Sequence, residues 1–128
     1  MSFDIFLQGF VDGEGAAGDR AAAIAVVTPL LAGPVSDGFG RIVTADGEAD
    51  IHGLGEDNQG LMINHVSGRR IWQRIVDVAI AAGYVVLPIG CPVCVVDEVM
   101  IGHLPDELRP DVVLVRDGGE LERAIAHA

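Results

Sequence analysis

Apolar and polar positions alternate in short blocks along this chain. Phe3 to Phe10 reads as a strand, rich in aromatic and β-branched residues, with Asp4 and Gln8 on one face. The Gly- and acid-rich Val11 to Gly18 reads as a loop. Asp19 then suits the N-cap of a helix carrying Ala21, Ile24 and Val27. Pro29 would clash with the Ala25 carbonyl, so that helix is expected to stop near Thr28.

The next unit carries a sharper signal. Asp46-Gly47 between two alternating runs predicts a type I′ hairpin. A two-residue turn pairs Ala45 with Glu48, Thr44 with Ala49, Val43 with Asp50, Ile42 with Ile51 and Arg41 with His52. One face then holds Ile42, Thr44, Ala49 and Ile51; the other holds Arg41, Val43, Ala45, Glu48, Asp50 and His52. After the polar loop Gly53 to Gly60, Leu61 to Val66 reads as a third strand.

Ser67 can N-cap a helix from Gly68 to Ala82, closed by Gly83. Ile71, Ile75, Val78, Ala79 and Ala82 form its buried stripe. Tyr84 to Ile89 is a continuous apolar run, as in a strand covered on both faces. A short helix is expected over Asp97 to Leu104 and a short strand over Val112 to Val115. Asp117-Gly118-Gly119-Glu120 resembles the capping box that opens a terminal helix.

The order β α β β β α β (α) β α predicts an α+β fold for residues 1–128, taken as one domain. We expect a mixed or antiparallel sheet of about five or six strands with helices mainly on one face, in a ferredoxin-like arrangement or a variant. That arrangement by itself implies no function.

Composition narrows the function classes. Aromatic residues make up only 5% of the 128 residues, so Val, Ile, Leu and Ala must build the core. A net charge of −11 repels phosphate backbones and anionic membranes, which argues against nucleic-acid and membrane-surface binding. It steers basic partners or cations toward the chain, and it also simply maintains solubility. Val78 to Val96 is uncharged and long enough to span a bilayer, but Gly83, Pro88, Gly90 and Pro92 interrupt it. Met1 to Gln8 lacks the positive n-region of a secretory signal. We therefore expect a cytoplasmic protein with Cys91 and Cys94 reduced.

Four groups of residues could carry chemistry. Cys91-Pro92-Val93-Cys94 brings two thiols close enough to chelate zinc or to form a small-ring disulfide. With no second Cys pair, His103, His65 or His52 would have to complete a metal set; otherwise the two are small buried core residues. Glu48, Asp50 and His52 share a strand face that could hold a divalent cation or do acid–base work, unless it is an ordinary solvent face. Arg41, expected opposite His52, places a cation where a metal would sit. Arg69, Arg70 and Arg74 crowd the positive end of a helix, an arrangement that demands an acidic partner. Asp12, Glu14, Glu56, Asp57 and Asp77 could supply it internally. Alternatively an anion or partner binds there, beside Asn64, His65, Ser67 and Gly68. His65 could act as a general base, though no motif ties a nucleophile to it. Trp72 reads as either core margin or interface anchor.

Three segments resemble small bacterial α+β proteins with no established activity: the opening Phe3 to Glu14, Asn64-His65-Val66-Ser67-Gly68-Arg69, and Gly90 to Cys94 followed by His103 to Leu108. In size and acidity the chain is also similar to immunity proteins that neutralise toxins. Neither resemblance assigns a role to any residue. The absence of a catalytic motif points to a non-enzymatic protein-binding or regulatory domain, with a basic partner and homodimerisation as candidates. The alternative is a metal- or thiol-dependent protein using Cys91 and Cys94.

Overall fold

The computed structural model describes residues 4–55 and 59–126. The chain forms β1 (Ile5–Val11), β2 (Glu14–Ala16), α1 (Arg20–Val27), β3 (Gly40–Val43), β4 (Glu48–His52), β5 (Leu61–Asn64), α2 (Arg70–Ala82), β6 (Val85–Pro88), β7 (Val93–Val95), β8 (Val112–Leu114) and α3 (Gly118–Ala126). Glu98–His103, where a short helix is expected, forms a 3₁₀ helix, and a 3₁₀ turn occupies Asp106–Leu108. Phe3, assigned to the first strand from sequence, lies outside the described residues.

The fold is α+β, built on one mixed sheet of eight strands rather than five or six. Its order is β3-β4-β5-β1-β6-β7-β8, with β2 paired to the far half of β1. All pairs are antiparallel except β7 with β8. The two extra strands lie where sequence pattern is silent. Glu14–Ala16 has no apolar alternation, and Val93–Val95 is preceded by a proline and split by a cysteine.

β1 sets the layers. Ile5 and Leu7 are buried among α1, α2 and α3, while the intervening Phe6 is 41% exposed on the opposite face. This is the two-residue side-chain period of a strand. α2 packs between α1 and α3. Its buried stripe is the predicted one, joined by Val76. Each of the buried Ile71 and Ile75 side chains contributes on the order of 1.5–3 kcal/mol. α1 opens on Asp19, whose carboxylate accepts from the Ala22 N–H, and ends at Thr28; α2 ends on Gly83 at φ 73°. Asp117 caps α3 by accepting from the Glu120 N–H, and Glu120 accepts in turn from the Arg116 N–H.

A smaller core lies on the opposite face, where the 3₁₀ segments bring Leu104 against Val85 and Val95. It covers the β6–β7–β8 half and reaches Phe10 at the far end of β1; no described helix covers β3, β4, β5 or the first half of β1 on that side. The uncharged run Val78 to Val96 is the end of α2, then β6, then β7. No helix among the described residues is long and apolar enough to cross a membrane.

The β3–β4 hairpin corrects the expected register by two residues. Arg41 pairs with Asp50, Ile42 with Ala49, and Val43 with Glu48. A slip of two preserves the faces, so Ile42, Ala49 and Ile51 are still buried. The cause is Asp46. Its carboxylate accepts from the Arg69 and Arg70 backbone N–H groups at 2.9 and 3.3 Å, which caps α2 from outside. Ser67 does not cap α2; its hydroxyl accepts from the Glu48 N–H at 3.1 Å. With Asp46 committed to the helix, residues 44–47 form the loop, closed by Thr44 N–H on the Gly47 carbonyl at 2.8 Å. A Cβ at Gly47 would overlap the Ser67 carbonyl, so only glycine lets the hairpin tip abut the helix start.

This contact is testable. Gly47→Ala should cost ~1–3 kcal/mol by chemical denaturation, as overpacking does. The Arg69 backbone N–H holds the Asp46 carboxyl below the usual carboxylate range. The stabilisation it gives is therefore present at neutral pH and lost as pH falls through the depressed value. Asp46→Ala should lower stability at pH 7 and flatten that acid-side loss.

Candidate functional site

The uncovered half of the sheet holds a hollow of about 350 Å³. Phe6 and Gln8 reach it from β1, His52 from β4 and Met62 from β5, each facing away from the helices by strand alternation. Gln59 and Gly60 close one side. The Gln8 amide is fixed by donating to the carbonyls of Gly9 and Ala16 at 3.0 and 3.1 Å. Phe39 meets the His52 ring edge-on, centroids 5.0 Å apart. Phe39 adds exposed apolar surface beside it, at 38%.

Arg20 steadies the rim of this hollow. Its guanidinium donates to the carbonyls of Gly60 at 3.3 Å and Gly55 at 2.7 Å, and to that of Gly53. One cation thus ties both ends of the 53–60 loop to the start of α1. Such charge-assisted bonds are each worth ~1.5–3 kcal/mol. No periodic pattern or motif marks Arg20 in the sequence. The one signal is a lone cation following the N-cap of an otherwise uncharged helix.

One rung along the same face lies a polar cluster. Asp50 accepts from His65 Nδ1 at 2.7 Å and meets Arg41 Nε at 3.5 Å. The His65 hydrogen bond, with help from the Arg41 charge, holds the Asp50 carboxyl below its ordinary range. Strand alternation would send His65 toward the helices. Instead its φ of 53° turns the imidazole onto Asp50. Arg41 sits opposite Asp50 rather than His52. Asn64 donates to Asp4 at 3.1 Å, and its own carbonyl oxygen is buried without a partner among the described residues. The ring is oriented and 62% exposed, but no Ser, Cys or Thr side chain is hydrogen-bonded to it among the described residues.

The arginines find internal acids. Arg69 meets Glu122 at 3.5 Å and Arg74 meets Asp77 at 3.0 Å, while Asp46 occupies the helix terminus beside Arg70. Asp77 is one of the acids expected from sequence. Asp12 sits instead at the β1–β2 turn against His103, and Glu56 and Asp57 lie outside the described residues. The anion position that Ser67, Gly68 and the arginines suggested is thus filled by the protein's own carboxylate. Trp72 lies half-buried against the main core.

Among the described residues, the cysteines join no histidine in a metal-binding group. Cys91 is half-buried and Cys94 fully buried in β7, both as free thiols. Burial pushes the Cys94 thiol up to about 11, aided by the nearby Cys91 and Asp111. At neutral pH it therefore stays protonated and a poor nucleophile. His103 Nδ1 accepts from the Asp12 N–H at 3.2 Å, and His65 is engaged with Asp50. Among the described residues, no three His, Cys, Asp or Glu side chains converge to hold a metal ion.

No protein family, no curated protein and no solved structure matches the chain.

The left-handed His65 makes a separable prediction. His65→Ala should destabilise more than His65→Gly, by roughly 1 kcal/mol, because only glycine adopts that φ freely. Both variants lose the Asp50 contact, so the Asp50 carboxyl, followed by NMR titration, should rise toward its ordinary range in each.

Proposed function

We propose that this protein is a non-enzymatic binding domain that takes a segment of a basic protein partner on the uncovered half of its sheet. The observation that carries the reading is the hollow framed by Phe6, Gln8, His52 and Met62 on a part of the sheet face that no described helix covers. Its apolar floor and few polar groups suit one apolar or aromatic side chain of a partner, the anchor-and-pocket form of interface hot spots. Exposed Phe39 extends the contact. The net charge of −11 supports a basic partner, since it accelerates encounter with cations and repels acids.

The scaffold suits such a role. We read β1-α1-β4-β5-α2-β6, with the neighbour order β4-β5-β1-β6, as a ferredoxin-like core extended at both edges. The reading places the chain in the cytoplasm, where Cys91 and Cys94 serve as reduced packing residues. The resemblance to small bacterial α+β proteins is compatible with it and adds no residue roles. Metal or thiol chemistry at Cys91 and Cys94 has less support, because His103 and His65 are held elsewhere and Cys94 is protonated.

Selection from a displayed random-peptide library tests the proposal. Enriched peptides should combine Arg or Lys with a large apolar residue, bind less tightly as salt rises, and lose at least ~10-fold in affinity against Phe6→Ser. Enrichment of acidic or purely polar peptides, or affinity unchanged in Phe6→Ser, would sink it.

A further inference from the structure

The two edges of the sheet differ. The outer side of β3 is covered by the chain itself: Leu31 bridges to Ile42, and the Ala32 N–H donates to the Arg41 carbonyl at 2.8 Å. β8 has no such cover among the described residues. It pairs with β7 in parallel, Val93 beside Val112 and Val95 beside Leu114. The bonds at its ends run from Val93 N–H to the Asp111 carbonyl at 3.1 Å and from Val115 N–H to the Val95 carbonyl at 2.8 Å. In a parallel ladder alternate residues bond to one side, so residues 111, 113 and 115 serve β7. The N–H and C=O groups of Val112 and Leu114 therefore point outward, and no described group bonds them.

Natural sheets rarely leave an apolar edge bare. This one carries Val112, Val113 and Leu114 with no charge, proline or bulge inside the strand. A shallow groove of about 310 Å³ runs between it and α3, lined by Val113, Leu114, Glu120, Arg123 and Ala124.

We propose that β8 pairs antiparallel with β8 of a second copy, about a twofold axis at Val113, so that two sheets become one. In that register Val112 of each copy faces Leu114 of the other. These are the residues whose backbone groups point outward, so they form hydrogen-bonded pairs. Val113 meets its own counterpart. The twofold sets α3 of one copy antiparallel to α3 of the other, and Glu120 then meets Arg123 twice. A second copy fits better than a foreign strand because the same patch supplies both halves of each charge pair and both halves of each backbone pair. Two chains of −11 repel over most of their surfaces. An uncharged edge flanked by one acid and one base is where they can meet.

Sedimentation of the full chain over a concentration series tests this. The wild type should dimerise. Val112→Pro removes an outward N–H that the isolated fold does not use, at an edge where proline is tolerated. It should leave the circular dichroism spectrum unchanged and weaken the dimer at least ~10-fold, the loss expected of two hydrogen bonds. Arg123→Glu should sediment as a monomer alone and form a heterodimer when mixed with Glu120→Arg. That charge swap decides the matter should Val112→Pro fail to fold. A wild type that stays monomeric at every concentration overturns the proposal. So does a dimer indifferent to Val112→Pro and Arg123→Glu.

Discussion

The two-residue period of β1 is the constraint on which the rest depends. β1 is the strand with the most neighbours, pairing with β5 and β6 along its first half and β2 along its second. Its odd positions, Ile5 and Leu7, are the floor on which all three helices settle. Its even positions, Phe6 and Gln8, are delivered to the other face by the same geometry. A one-residue slip would exchange the two sets and expose the core. Burial of Ile5 and Leu7 therefore also fixes where Phe6 and Gln8 stand, and with them the hollow.

The second face is finished on one half only. Leu104 and its neighbours close over Val85 and Val95, whereas Phe6, Phe39 and Val43 are left more than a third exposed. Exposed apolar side chains scattered singly are ordinary; here Phe6 and Phe39 lie on or beside a hollow whose rim is held by an internal cation. Among the described residues, Arg20 uses its guanidinium on three loop carbonyls. That is strong local investment in the shape of one loop. The cysteines show the opposite pattern: a buried thiol kept protonated, with His103 and His65 engaged elsewhere.

The tripeptide Asp-Gly-Glu shows what sequence can and cannot report. It occurs at Asp12-Gly13-Glu14 and at Asp46-Gly47-Glu48. At the first, Val11 pairs with Glu14 across a two-residue turn, with Asp12 and Gly13 at φ 50° and 83°. Those are the positive angles of a type I′ hairpin, yet the segment reads as a loop because the second strand is three residues without alternation. At the second, the hairpin is legible but its turn is not, because Asp46 leaves it to cap a helix 23 residues on. The helices, the buried stripe of α2 and the faces of the hairpin follow from local periodicity. The cap on α2, the Arg20 clamp and the turn of His65 onto Asp50 are long-range contacts that no local pattern encodes. The hollow itself was half legible: alternation places Phe6 and Gln8 together, but Met62 and His52 join them only through the strand order.

Backbone chemical shifts of the protein titrated with a selected basic peptide test the central claim most directly. The account predicts the largest changes at Phe6, Gln8, His52 and Met62, fading toward the 3₁₀ layer, with α2 and α3 unmoved. Saturable binding whose shifts centre on the helices, or on the acidic turns around Asp106, would contradict it.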